Sequence, residues 1–112
     1  MKFLLLAAIP SLLLAAGCTT TDAGPAMPVD PAVIYAQMCA RCHGVDGHGD
    51  PQMKQTMPTL RDFSDPQSRA LKNEDIEQVI MAGKNQMPGF GAALSLPKIQ
   101  TLTGHVRRLG GK

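Results

Sequence analysis

The chain has 112 residues, a mass of 11.9 kDa and a formal net charge of +2. That length allows one small domain, and its basic residues are scattered rather than clustered, which excludes an electrostatic footprint for nucleic acid. The overall apolar content of 44% is inflated by the first 18 residues; from Cys18 onward it is about 38%, with Tyr35, Phe63 and Phe90 as the aromatics. So thin a core needs a staple, a metal or a cofactor, which argues against a large self-sufficient enzyme.

Met1 and Lys2 form a minimal positive start, and residues 3–16 are apolar except for Pro10 and Ser11. A bilayer span needs ~18–20 apolar residues, so this run reads as a signal peptide, residues 1–17. Leu14, Ala15, Ala16, Gly17 and Cys18 resemble a bacterial lipoprotein signal, in which the peptidase cuts before a cysteine that is then lipidated. Ala15 departs from the Leu usual there. Thr19 in place of Asp slightly favours the outer membrane over the inner. Residues 18–29, the lipidated Cys18 and a stretch rich in Thr, Ala, Gly and Pro, read as a tether.

Residues 30–112 form the folded domain. Asp30 and Pro31 open a helix, as an N-cap acceptor followed by Pro at the first helical position. Ile34, Tyr35, Met38, Cys39 and Cys42 share one face, and Gly44 ends the helix. Residues 44–70 hold three glycines and three prolines and read as irregular loop. Asn73 caps a second helix with an apolar stripe of Ile76, Val79 and Ile80, closed by Gly83. Ser95 caps a third, with Pro97 in its first turn and Ile99, Leu102, Val106 and Leu109 on one face. The expectation is an all-α domain of three to five short helices with long loops and no strand.

Cys39, Ala40, Arg41, Cys42 and His43 spell C-x-x-C-H, the attachment sequence for a c-type haem. Two thiols three positions apart lie on one helical turn and can add to the two vinyl groups of one haem, and the adjacent His falls under the iron. Three rivals use the same residues. A thioredoxin-like pair expects a strand before it, whereas here a helix precedes it. A zinc site needs two more ligands, and only His48 is near. A Cys39–Cys42 disulfide gives His43 no role.

With these residues in view the domain resembles a class I cytochrome c of the short bacterial type, over about residues 30–110. The resemblance rests on Tyr35, Cys39, Cys42, His43 and Gly44, on Gly47 and Gly49, on Pro58 and Leu60, and on Met87, Pro88 and Phe90 before an amphipathic helix. It implies terminal helices that cross around one covalently bound haem c. Iron in an electron carrier favours two strong axial ligands, and His/Met ligation raises the potential. Met87, 44 residues after His43 and stiffened by Pro88, is the expected partner of His43. Met57 is the runner-up, only 14 residues from His43. The resemblance places that stretch on the His43 side, where the Pro58 carbonyl accepts the imidazole Nδ1–H and fixes its orientation. Met38 should face the core, and Met81 should pack in it. His48 should face solvent. His105 stands where the family has an aromatic residue packed on Tyr35, and should make a thinner contact.

The functional expectation is a one-electron carrier rather than an enzyme, with no small-molecule substrate. Redox proteins would dock transiently at its haem edge, and a lipid anchor would hold it on the periplasmic side of the envelope. A second reading is a haem c subunit of a larger dehydrogenase or oxidase complex, and a third is a haem peroxidase or gas sensor.

Overall fold

The computed structural model describes residues 28–111. The signal peptide, Cys18 and most of the tether lie outside the described residues. Six helices follow in order: α1 (Pro31–Met38), α2 (Ala40–His43), α3 (Pro51–Thr56), α4 (Pro66–Arg69), α5 (Asn73–Ala82) and α6 (Leu96–Leu109). The all-α expectation holds, with one helix more than its upper bound. The β-pairing among the described residues is a single bridge between Lys84 and Met87.

Asp30 caps α1 as expected, its carboxylate accepting from Ala32 N at 2.8 Å. The helix expected to run on to Gly44 is instead broken at Cys39, where φ widens to −118°. The break lasts one residue, because Cys39 N still reaches Tyr35 O and His43 N reaches Cys39 O, both at 2.9 Å. The stretch expected to be irregular holds two helices, each opened by the same Asp-Pro device that opens α1. Asp50 accepts from Gln52 N and Met53 N at 2.9 and 3.0 Å, and Asp65 precedes Pro66 at the start of α4.

Asn73 does not cap α5. Lys72 takes the cap position, and its N–H donates to Asp75 Oδ2 at 3.1 Å. The Asn73 side chain is engaged elsewhere, with Oδ1 accepting from Arg107 Nε of α6 at 2.9 Å. The same guanidinium donates to the carbonyls of Arg69 and Leu71, so one side chain ties α6 to the α4–α5 connection. Ser95 does precede α6, but its hydroxyl makes no capping bond.

The core lies where α1 and α5 pack on α6. Its buried apolar side chains are Ile34, Tyr35, Ile80, Leu94, Ile99 and Leu102. Met38 packs against this cluster as expected. Met81 does not join it; the side chain is exposed and lies against Gly91. The helix turns it outward, while its neighbour Ile80 takes the core position.

Two glycines of this fold should respond oppositely to a methyl group. Gly47 has φ +80°, and a Cβ there would stand 2.6 Å from Phe63 Cδ2 and 3.1 Å from Leu109 Cβ. Gly104, inside α6, has only Arg108 within 4 Å, at 3.7 Å. In chemical denaturation of the holoprotein, Gly47→Ala should cost roughly 2–4 kcal/mol through left-handed strain and overpacking. Gly104→Ala should add about 0.5–1 kcal/mol by removing a helix-interior glycine.

Candidate functional site

The small core borders a cavity of about 1210 Å³, lined by parts of α1 and α2, the 57–63 segment, α5 with the turn that follows it, and α6. Drug-sized ligands occupy pockets of ~300–1,000 Å³, so this one suits a larger group. Cys39, Cys42, His43, Met57, Pro58 and Met87 all line it. The fold thus gathers on one cavity six residues that stand as far as 48 positions apart in sequence.

His43 ends α2, and its backbone is pinned from behind. Gly44 turns the chain at φ +72°, Gly49 N donates to His43 O and Asp50 N to Cys42 O, both at 2.8 Å. Tyr35 Oη donates to Gly44 O at 2.6 Å, and burial raises the Tyr35 pKa, so the phenol stays a donor. The imidazole stacks on Phe63, with ring centroids 4.8 Å apart and planes at 28°. Phe63 is held in turn by its N–H to Gly47 O at 2.9 Å. A Cβ on Gly47 would enter the Phe63 ring, which explains the glycine there. The sequence reading gave Phe63 no role; the clue was a solitary aromatic in a stretch otherwise polar.

Burial lowers the His43 pKa, opposed by the Arg61 backbone, and so favours the neutral ring. Its Nδ1 is enclosed and has no hydrogen-bond partner, the Arg61 backbone acting on the ring without reaching bonding geometry. Pro58, expected to accept that proton, lines the same cavity without making the bond. A neutral imidazole with one face stacked and Nδ1 sealed is a ligand in waiting for a metal at Nε2. Cys39 and Cys42 are free, and burial, aided by Cys42, pushes the Cys39 thiol up to about 11. Redox-active C-x-x-C pairs have depressed thiol pKa values, and the Cys39 shift runs in the opposite direction. Among the described residues no three His, Cys, Asp or Glu side chains are grouped to hold a metal ion.

Met87 sits in a tight turn after α5. Lys84 N donates to Met87 O at 3.1 Å and Met87 N to Lys84 O at 3.0 Å, with Asn85 at φ +54° between them. Phe90 N bonds Ile80 O at 2.8 Å, and Gly91 N bonds Met81 O at 3.0 Å. Gly83 and Gly89 allow this return, since a Cβ on either would stand under 3 Å from the opposing backbone. Met57 also reaches the cavity, from the C-cap of α3. His48 is exposed, as expected, and its Nδ1 lies 3.0 Å from Asp62 Oδ1. His105 does meet Tyr35, with ring centroids 5.0 Å apart and planes tilted by 50°.

A covalent-attachment motif, a half-buried imidazole and three methionines, Met38, Met57 and Met87, around one cavity in an all-α shell define a small c-type cytochrome. Residues 26–106 match the family described as cytochrome C oxidase, cbb3-type, subunit III, and the chain belongs to that family. A search of curated sequences gave no match. Among solved structures it is similar to "KustC0563 c-type cytochrome", with 29% identity and a TM-score of 0.65, over 72% of this chain and 98% of that one. A cytochrome c domain implies electron transfer and a covalently bound haem c. The donor set and the sealed Nδ1 fit that group.

The Asp62 carboxylate accepts from Ser64 Oγ at 2.6 Å and Ser64 N at 2.8 Å as well as facing His48. Led by the Ser64 bond, these interactions hold its pKa down at about 2. A depressed carboxylate stabilises the fold above its unfolded value of ~3.9, and that contribution is lost as pH falls towards the folded value. The midpoint of urea unfolding should therefore fall between about pH 4 and pH 2 by more in the native protein than in Asp62→Asn.

Proposed function

We propose that this chain is a one-electron carrier of the bacterial envelope, with haem c held through Cys39 and Cys42 and with His43 and Met87 as the axial ligands of its iron. The observation that supports this most is the convergence of these four side chains on one cavity, where burial favours the neutral form of His43. Bound haem supplies the Fe(III)/Fe(II) couple. The protein's part is to anchor, orient and shield. Cys39 at the α1–α2 break and Cys42 within α2 would hold the group through thioethers, and Phe63 holds the imidazole plane. The Nδ1–H of His43 needs an acceptor, which in our assignment is the carbonyl of Pro58. Met87 is delivered from a turn closed by two backbone bonds, so its thioether has little freedom to leave. The protein works on the periplasmic side of the envelope, the outer membrane being slightly favoured. Lipidated Cys18 anchors it through the 18–29 tether, and redox proteins dock transiently at the haem edge.

The family's description favours a second reading, a stable haem c subunit of a larger oxidase or dehydrogenase complex. The electron-transfer chemistry is the same, and native purification separates the two: a carrier is recovered alone and a subunit with its complex.

Acid–acetone treatment of the holoprotein should leave the haem on the polypeptide. Met87→Ala should turn the iron high-spin, let carbon monoxide bind quickly and lower the reduction potential, because a soft thioether favours Fe(II) over a hard oxygen ligand. Met57→Ala should leave spectrum and potential unchanged. An exchange of these two behaviours would invert the assignment.

Cys18→Ala should move the protein from the membrane to the soluble fraction or leave its precursor uncleaved. Mass spectrometry of the mature chain should find an acylated Cys18 as the first residue. An unmodified N-terminus beyond residue 18 would end the lipoprotein reading.

A further inference from the structure

The large apolar side chains that the described residues leave exposed are Val29, Val33, Val45, Met81 and Leu96. Singly, such residues need no explanation. Val45 stands in the turn after α2, Met81 lies against Gly91, and Leu96 is the first residue of α6. Val29 and Val33 differ in belonging to one end of one helix. Val29 precedes the Asp30 cap, Val33 lies in the first turn of α1, and each is 46% exposed.

α1 is also the one helix of the six without a charged side chain. A surface helix ordinarily sets an apolar stripe on the core and charged groups on the opposite face. α1 buries Ile34 and Tyr35 and packs Met38 on the core, yet its exposed positions, Val33, Ala36 and Gln37, offer two aliphatic side chains and an amide. The Asp30 carboxylate beside them is committed to the Ala32 N–H. Where α1 crosses α6, His105 meets Tyr35 and feels the charges of both Arg108 and Asp30. Val29, Val33 and Ala36 do not line the cavity, so the haem site gives no account of this face, and contact there leaves the site open.

The chain itself points to the occupant. Its tether enters the domain at Val29, eleven residues after Cys18, and such a length reaches at most ~36–40 Å fully extended. A small domain is ~30 Å across. An anchor at Cys18 therefore pulls on the N-terminal end of α1 and holds it within about one domain width of the lipid. Two valines are too little apolar area to keep a free domain on a bilayer. A short linker, however, gives a second contact an effective concentration in roughly the millimolar range. Weak burial of aliphatic groups at the headgroup boundary is then enough to favour one orientation.

We propose that the outer face of α1, with Val29, Val33 and Ala36, rests on the lipid bilayer that holds the Cys18 anchor, and so sets the orientation in which the cavity is presented. The inference rests on the lipoprotein reading and adds a contact that anchoring alone does not need. With an acid and a base both near it, the face has no preference for anionic lipid, and zwitterionic phosphatidylcholine is the probe.

The test places the lipidated holoprotein in phosphatidylcholine vesicles doped with a phosphatidylcholine that carries a diazirine near the glycerol end of its acyl chain. Illumination should put lipid adducts, located by tandem mass spectrometry, on residues 29–37 as well as on the 19–28 tether, and leave α3 and α5 unlabelled. Val29→Gln with Val33→Gln should lower the α1 yield several-fold and keep the tether yield. Both side chains are half-exposed, and an unaltered visible spectrum shows that the variant has folded. Adducts confined to the tether overturn the proposal, as do adducts spread evenly over α1, α3 and α5 or an α1 yield that the substitutions leave unchanged. The Cys18→Ala holoprotein, exported behind an ordinary signal peptide, should be monomeric in analytical ultracentrifugation. A dimer that Val33→Gln dissociates would assign the face to a second copy and also overturn the proposal. The intact mass is recorded first. A chain without acyl groups on Cys18 sinks the lipoprotein reading and the α1 contact with it, whereas an acylated chain labelled on the tether alone sinks only the contact.

Discussion

A cavity of about 1210 Å³ inside so short a chain is the constraint on which the rest of the structure depends. Of the six buried apolar side chains, three, Tyr35, Ile80 and Leu102, line it, and interiors elsewhere are packed as densely as organic crystals. A small domain already buries a low fraction of its surface, so a void of this size removes contacts the chain cannot replace from its own residues. The covalent haem c of the family resolves the conflict by acting as the missing core. Function and stability therefore share one component, which explains why the side chains around it are chosen for ligation and shape rather than for bulk.

The His43 side shows how a short sequence builds a rigid frame without regular structure. Gly44, Gly47 and Gly49 all have positive φ. Each tight turn brings a backbone group to a fixed partner: Gly44 O to Tyr35, Gly47 O to Phe63 N, and Gly49 N to His43 O. Phe63 then stacks on the imidazole, its place kept by the missing side chain of Gly47. Asp62 and Ser64 flank Phe63 and lock to each other and to His48. The ring plane of His43 is thus set by residues up to 20 positions away, through a chain of short contacts, each checkable by substitution.

Most of the site was legible because its chemistry demands fixed local spacing. The two cysteines and the adjacent histidine announce themselves within five residues, and the helices that carry them follow from Asp30, Pro31 and Gly44. What escaped was written in the same alphabet. Asp-Pro opens α1, α3 and α4 alike, but glycines and prolines around the last two hid the signal. Asn73 looked like a cap because local rules reward it there; a tertiary bond to Arg107 outcompeted them. Met81 was placed in the core from its position late in a helix, whereas only packing decides which of two neighbouring residues faces inward. Phe63 left only the trace of a solitary aromatic in the sequence, since its role exists only once the 47–49 turn folds against it.

The placement of charge follows from local geometry too. A carboxylate is the acceptor that helix starts and turns require, so backbone geometry dictates where Asp30, Asp50, Asp46 and Asp62 must stand. Among the cations, Arg107 has a comparable duty, closing three acceptors at once. The fold thus sets these four acids at fixed points, while the exposed side chains of Arg41, Arg61 and Lys84 can vary, because surface substitutions without such duties change stability by about 0.5 kcal/mol or less. All three border the cavity. Their charge can change while the frame that holds His43, and the turn that presents Met87, remain untouched.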